Sequence, residues 1–396
     1  MSSRANPSRP ESRAIATGAA AGLFLVCWAA VHQFFWARRP LVDWPVYLHY
    51  GYAIVHDGQI PYRDFAVEYP PGALPVFTLP SLGGTYASSF AWLMAACGVG
   101  LVVVVAGIRR GAAFYVALAP VLAGSLILSR FDLWPALLAT AALAALLRDR
   151  DGLGWALLGA AVAAKLWPLV LVPLALVWSV RRGHTRAPLA GLAVTAAIFL
   201  PFAVIAPHGV WSSITGQLSR PLQIESLGAA MLTTFGHPGV VTTHGSQNVT
   251  GHGAIGAAFA ATQVAVLVAV WVGFARGGPL TRERLIRFAA AAVCAFVAFG
   301  KVLSPQFLLW LIPLVPLVAG RRGLAAAALL TTALVLTQVW FPQRYWAYAA
   351  GFHLAWVVLL RDLVLVALVG VLAWPNRRRG LRNRFEYLHS VGQAEK

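Results

Sequence analysis

Residues 43–72 read DWPVYLHYGYAIVHDGQIPYRDFAVEYPPG and hold four of the chain's thirteen acidic residues and five of its ten tyrosines. The carboxylates are Asp43, Asp57, Asp64 and Glu68; the phenols are Tyr47, Tyr50, Tyr52, Tyr62 and Tyr69. A carboxylate held against a partly apolar surface has its pKa raised towards the range of a general base. Asp43 is best placed for that chemistry. It follows the first long apolar run by a few residues and precedes Trp44-Pro45 and aromatics at 47, 50 and 52, which predicts an ordered helix at a membrane interface. Asp57 precedes Gly58 and reads as a turn former. Asp64 and Glu68 stand on either side of Phe65, with Arg63 as a simple ion-pair partner for either.

Cations recur elsewhere. Only three of the 31 basic residues are lysines. Two of them, Lys165 and Lys301, stand at the tips of apolar hairpins with a proline three or four residues on. Each can snorkel to the surface or hold an anion. Arg130 and Asp132 are two apart in SRFDLWP, where Asp132 reads as an ordinary acid at a helix start. The stretch GQLSRPLQIESLGAAM carries Arg220, Gln223 and Glu225 on a pattern that suggests a short amphipathic helix, and Gln306 closes KVLSPQ. Histidines 208, 237, 244 and 252 are too irregularly spaced for a metal site. Asn248-Val249-Thr250 matches the N-glycosylation pattern and is read as chance. Arg361-Asp362, inside the last apolar run, is read as a mutually paired couple.

The elements that must position these groups are membrane spans. The 396 residues are 59% hydrophobic and 11% charged, with mean hydropathy +0.71, where a soluble domain carries roughly 25% charged residues. Apolar segments at about 14–37, 86–108, 112–129, 132–148, 153–165, 167–180, 187–206, 254–275, 285–302, 305–320, 323–341 and 351–373 predict an all-α polytopic protein with about 12 transmembrane helices, each span crossing roughly 30 Å of hydrocarbon. The first run is too long for a signal core, and no small-residue cleavage site follows it. Two long loops, 38–85 and 207–253, separate the groups of spans. The expected organisation is a tail over 1–13, a transmembrane domain over 14–373 and a basic tail over 374–396. The net charge of +18 is concentrated at helix ends. It therefore reports membrane topology rather than nucleic-acid binding: both termini inside, and the acidic loop, Arg130, Lys165, Arg220 and Lys301 outside. Cys27, Cys97 and Cys294 lie within apolar runs and are expected to be reduced and inert.

Together, DWPVY…GQIPYRDFAVEYPPG, RPLQIES at 220–226 and KVLSPQFLLWLIPLVPL at 301–317 resemble the C-type glycosyltransferases. The closest resemblance is to glycosyltransferase family 87, the actinobacterial polyprenyl-phosphomannose-dependent mannosyltransferases. The resemblance runs from about residue 20 to 373 and implies the C-type glycosyltransferase fold and an inverting transfer with Asp43 as catalytic base. It also implies a groove open to the outer leaflet for the prenyl tail and no nucleotide-binding domain; the transfer itself requires no cofactor or metal, and the residue spacing suggests none. The donor implied is a polyprenyl-phosphate sugar, most simply mannose; the acceptor is a lipid-linked or envelope glycan on the outer face of the plasma membrane. The chemistry of such a transfer needs cations for the departing phosphate and polar or aromatic groups for the sugar, and the residues expected to supply them are Tyr47, Asp64, Glu68, Tyr69, Arg130, Lys165, Arg220, Glu225, Lys301 and Gln306. Two alternatives stand beside this reading. A secondary transporter would show internal repeats and midplane charges on broken helices, whereas here the polar groups crowd one face. A polysaccharide polymerase or ligase would share the arginine-rich external loops.

Overall fold

The computed structural model describes residues 8–36 and 44–374; Asp43 and the basic tail beyond Trp374 lie outside the described residues. In chain order the helices are α1 (Ser8–Trp36), α2 (Trp44–Val55), α3 (Leu74–Thr78), α4 (Tyr86–Ile108), α5 (Arg110–Ala117), α6 (Ala119–Ala123), α7 (Leu126–Ser129), α8 (Leu133–Leu146) and α9 (Asp151–Ala164). They continue as α10 (Val172–Val180), α11 (Pro188–Ile205), α12 (Pro207–Leu218) and α13 (Leu227–Phe235). An antiparallel hairpin follows, β1 (Val240–Thr243) and β2 (Ser246–Val249). The chain then forms α14 (Gly253–Arg276), α15 (Arg282–Ala298), α16 (Gly320–Trp340), α17 (Tyr345–Gly351) and α18 (Ala355–Ala373).

Six of the twelve expected spans are single helices long and apolar enough to cross a bilayer: those within α1, α4, α11, α14, α16 and α18. The other six segments are shorter or broken, for reasons that lie in their sequences. The run 112–129 is divided among α5, α6 and α7, with Pro120 in α6 and Gly124 at φ 58° ending it. The 14 residues of α8 and of α9 give about 21 Å at 1.5 Å per residue, less than the hydrocarbon core. The segment 305–320 winds as 3₁₀ turns at Pro305–Trp310 and Val315–Leu317, where Pro305, Pro313 and Pro316 remove backbone donors.

The bundle has two chemically distinct ends. At one, arginines donate to the carbonyls that helix C-termini leave unpaired. Arg148 bonds Gly107 O at 2.9 Å, Arg284 bonds Gly273 O at 2.7 Å, and Arg287 bonds Leu372 O at 3.1 Å. Arg282 bonds Leu147 O, and Arg109 bonds Leu317 O at 2.9 Å. Cations there complement the negative ends of the helix dipoles. Asp149 pairs with Arg182 and Asp151 with His184, placing the end of α10 beside the α8–α9 turn. Lys165 therefore sits at the far end of an α9–α10 hairpin. The chain likewise runs from Arg282 to Lys301 and Trp310 at that far end and returns to Leu317.

Two glycines show how tightly the far end is assembled. A Cβ on Gly51 would fall 2.2 Å from Phe77 O, so α2 can lie on α3 only because residue 51 has no side chain. A Cβ on Gly72 would fall 2.5–2.7 Å from the backbone of Ala163 and Ala164. The Pro-Pro-Gly of the acidic loop is thereby pressed against the end of α9, one residue short of Lys165. Trp134 Nε1 donates to Gly72 O at 3.1 Å and fixes the other side.

Candidate active site

The walls of one cavity of about 350 Å³ come from six separate stretches of chain. The acidic loop supplies Tyr47, Glu68 and Tyr69, the α7–α8 turn Arg130, and the α12–α13 connection Arg220, Gln223 and Glu225. The hairpin supplies Thr242 and His244 to Gln247, the start of the 3₁₀ segment Ser304 and Gln306, and α17 Tyr345 and Trp346. Seven of the ten residues expected to bind substrate therefore line one space: Tyr47, Glu68, Tyr69, Arg130, Arg220, Glu225 and Gln306.

Tyr47 and Tyr69 are set by an aromatic stack behind the cavity. Tyr47 lies 4.8 Å from Phe77 and Tyr69 lies 4.8 Å from Phe131, with the two tyrosines 6.0 Å apart. The buried face of α2 is Tyr47, Tyr50, Gly51 and Ala53, a helical spacing that turns the aromatics inward. Trp44, the residue after Asp43, begins that helix, and Val46 and Tyr47 of its first turn form cavity wall.

The segment around Glu225 is not the amphipathic helix that its sequence suggests. Helix α12 ends at Leu218 and α13 begins at Leu227, and Pro221 between them has no amide hydrogen to continue a ladder. Residues 222–224 instead run beside the hairpin: Val249 N donates to Leu222 O at 2.8 Å and Ile224 N to Gln247 O at 3.1 Å. The hairpin turns through His244 and Gly245, both at positive φ (52° and 64°), as a two-residue turn of its type requires. Arg220 donates to Ser246 Oγ at 2.9 Å and is thereby held across the hairpin tip. Asn248 is fully buried and donates to Thr243 O at 2.8 Å, so its amide belongs to the hairpin core and not to a glycosylation surface.

Glu225 is 2% exposed, and its Oε2 has no hydrogen-bond partner among the described residues. Burial raises its carboxyl to about 7, opposed by its own backbone amide, Arg361, Gln223 and Arg220. It therefore exchanges charge near neutral pH. Burial lowers the Arg130 guanidinium to about 10, opposed by Asp132 and Glu225, and it stays cationic at neutral pH. Glu68 is exposed and lines this cavity together with a second cleft of about 450 Å³; Arg220 and His244 are shared between the two.

Three expected binding residues are placed otherwise. Asp64 lines the second cleft and is bonded to its neighbour Arg63 at 2.8 Å and to Ile60 N at 2.8 Å. Lys301 donates to Leu218 O at 3.0 Å and caps α12, while its own carbonyl accepts from Gln223 N. Lys165 lies behind the wall, 2.6 Å from Asp132 Oδ1 and 4.6–6.0 Å from the ring centres of Phe131, Trp310, Tyr69 and Phe307. Asp132 is fully buried and also accepts from Trp310 Nε1 at 2.6 Å. It is the counter-ion of Lys165, a role that a helix-start acid conceals because both partners are distant in sequence. The hairpin was also missed, although Thr-Thr-His-Gly-Ser beside β-branched residues is a hairpin signal.

No curated protein sequence matches this one. Among solved structures the fold is similar to the crystal structure of ArnT from Cupriavidus metallidurans bound to undecaprenyl phosphate. Identity is 15%, the match covers 88% of this chain and 77% of that one, and the TM-score is 0.51. The description "Glycosyltransferase family 87" matches residues 67–305, from the acidic loop to the start of the 3₁₀ segment. With more than half of its length matched, and with six helices of membrane-crossing length among the described residues, this chain belongs to glycosyltransferase family 87.

Proposed function

We propose that the protein transfers a hexose, most simply mannose, with inversion from a polyprenyl-phosphate sugar to a lipid-linked or envelope glycan hydroxyl on the outer face of the plasma membrane. The observation that carries this reading is the cavity itself, where two guanidinium groups face two carboxylates at one end of an apolar bundle. Its volume of about 350 Å³ falls in the range of small-ligand sites. The polyprenyl phosphate in the ArnT crystal structure is a lipid of the same chemical class.

In this scheme Asp43 takes the proton of the acceptor hydroxyl as that oxygen attacks the anomeric carbon. The bond from that carbon to the phosphate oxygen breaks on the opposite face, and the electron pair leaves with the phosphate. The donor diester carries one negative charge and the released prenyl phosphate gains a second, so stabilisation is needed where Arg130 and Arg220 stand. Glu68, Glu225, Gln306 and the phenols of Tyr47 and Tyr69 are the groups available to sugar hydroxyls.

Arg220→Met is expected to weaken donor use by about tenfold to a hundredfold, since hydrogen bonds to charged groups contribute about 1.5–3 kcal/mol. Membranes carrying the variant, supplied with radiolabelled polyprenyl-phosphomannose, report it as a raised donor KM. Label moving to one new glycolipid supports single transfer; a ladder of long products would indicate a polymerase. The orientation is tested separately with an impermeant thiol reagent. Asp64→Cys should react from outside and Leu153→Cys, at the arginine end, only after the membrane is opened; the reverse pattern overturns the topology.

A further inference from the structure

Arg361 and Asp362 are each fully buried in α18, with Nε and Oδ1 2.6 Å apart. Arg361 lies six residues into the helix, about 9 Å from its start at 1.5 Å per residue. Replacing such a pair with apolar side chains often costs nothing and sometimes stabilises, so packing alone is a poor reason to place it there. The guanidinium makes one further bond: its Nη2 donates to the backbone oxygen of Glu225 at 2.8 Å. One residue earlier, Ile224 O accepts from the hydroxyl of Tyr348 in α17 at 2.6 Å. The acidic residue of the cavity is thus pinned through its main chain from two helices that lie wholly beyond the matched region 67–305.

We propose that Arg361 is a positioning residue for sugar transfer, with Asp362 as the counter-ion that lets it stand buried. By holding the Glu225 carbonyl it fixes where the Glu225 carboxyl enters the cavity and places a positive charge behind it. The inference rests on Glu225 serving the reaction, as the proposed function assigns it. Arg361 itself lines no part of the cavity.

The charged and titratable groups around Glu225 come from every element packed against it. Arg130 reaches it from the α7–α8 turn and Arg220 from its own connection. Tyr345 and Tyr348 face it from α17, with Arg361 and Asp362 behind it on α18, while Glu68 and His244 stand in the cavity wall. Arg361 opposes the upward shift that burial gives the Glu225 carboxyl. Removing it therefore moves that titration to higher pH.

The test is the paired substitution Arg361→Met with Asp362→Leu, which removes the anchor without leaving a buried charge alone. Its thermal stability in detergent should stay close to that of the natural protein. Its kcat should fall by about 10–100-fold, as misplacement of a reacting constellation by an ångström does. The limb of the pH–rate profile that Glu225→Gln abolishes should move to higher pH. Arg361→Lys, which keeps the charge and loses the fork, should fall between. A paired variant that keeps both kcat and the pH limb overturns the positioning role. If Glu225→Gln itself leaves transfer unchanged, the role fails together with the assignment of Glu225 to the site. If Glu225→Gln is impaired and the paired variant is not, only the role of Arg361 fails.

Discussion

Asp43→Asn is expected to reduce sugar transfer by about 10²–10⁴-fold, the usual contribution of a positioned general base, with donor binding and folding preserved. The change keeps the size of the side chain and removes its capacity to take a proton, so it separates base chemistry from packing. The structure describes the chain from Trp44 onward, where the first turn of α2 already forms cavity wall. Two described carboxylates compete for the role. Glu68 is exposed at the junction of the two clefts, and Glu225 is buried among arginines with its carboxyl near 7. Glu68→Gln should hurt less than Asp43→Asn, because its part is to hold sugar. An Asp43→Asn enzyme retaining more than roughly a tenth of its activity, beside an inactive Glu68→Gln or Glu225→Gln, would move the base to that carboxylate, since base contributions are rarely smaller than this.

Much of the site was legible in the sequence because its residues are conspicuous against an apolar background. A carboxylate, guanidinium, phenol or amide in such a chain must be satisfied by a partner or face a polar cavity, and seven of those singled out share one cavity. Interruptions within apolar runs were harder to see. Where every residue is hydrophobic, helical period carries no signal, so Pro120 and Gly124 passed as part of one span although the first opens α6 and the second ends it. The hairpin escaped for a different reason. Three of its four β2 residues are polar and all four are buried together, satisfied by Arg220, Thr243 and the 222–224 segment, contacts that no local window contains. Arg361-Asp362 was rightly read as a pair, but its bond to Glu225 O crosses 136 positions and was invisible.

Asp132→Leu should be among the most damaging single changes to stability, costing about 3–5 kcal/mol, because removal of one partner strands the other buried charge. Lys165 Nζ and Trp310 Nε1 both lose their acceptor at once, and the lysine side chain is only 14% exposed. Adding Lys165→Met to that variant should restore most of the lost stability in detergent, since two apolar side chains then fill the same space inside the ring of Phe131, Trp310 and Tyr69. The restored protein also decides what the lysine is for. Its ammonium is neutralised by Asp132 and lies behind the cavity wall, whereas Arg130 and Arg220 present their charge to the cavity. Donor KM in the double variant is therefore expected to stay within a few-fold of the natural value, making the Lys165–Asp132 couple a support for Tyr69 and the Pro-Pro-Gly turn. A double variant that is stable but loses donor affinity would return Lys165 to the phosphate, with Asp132 as the residue that aims it.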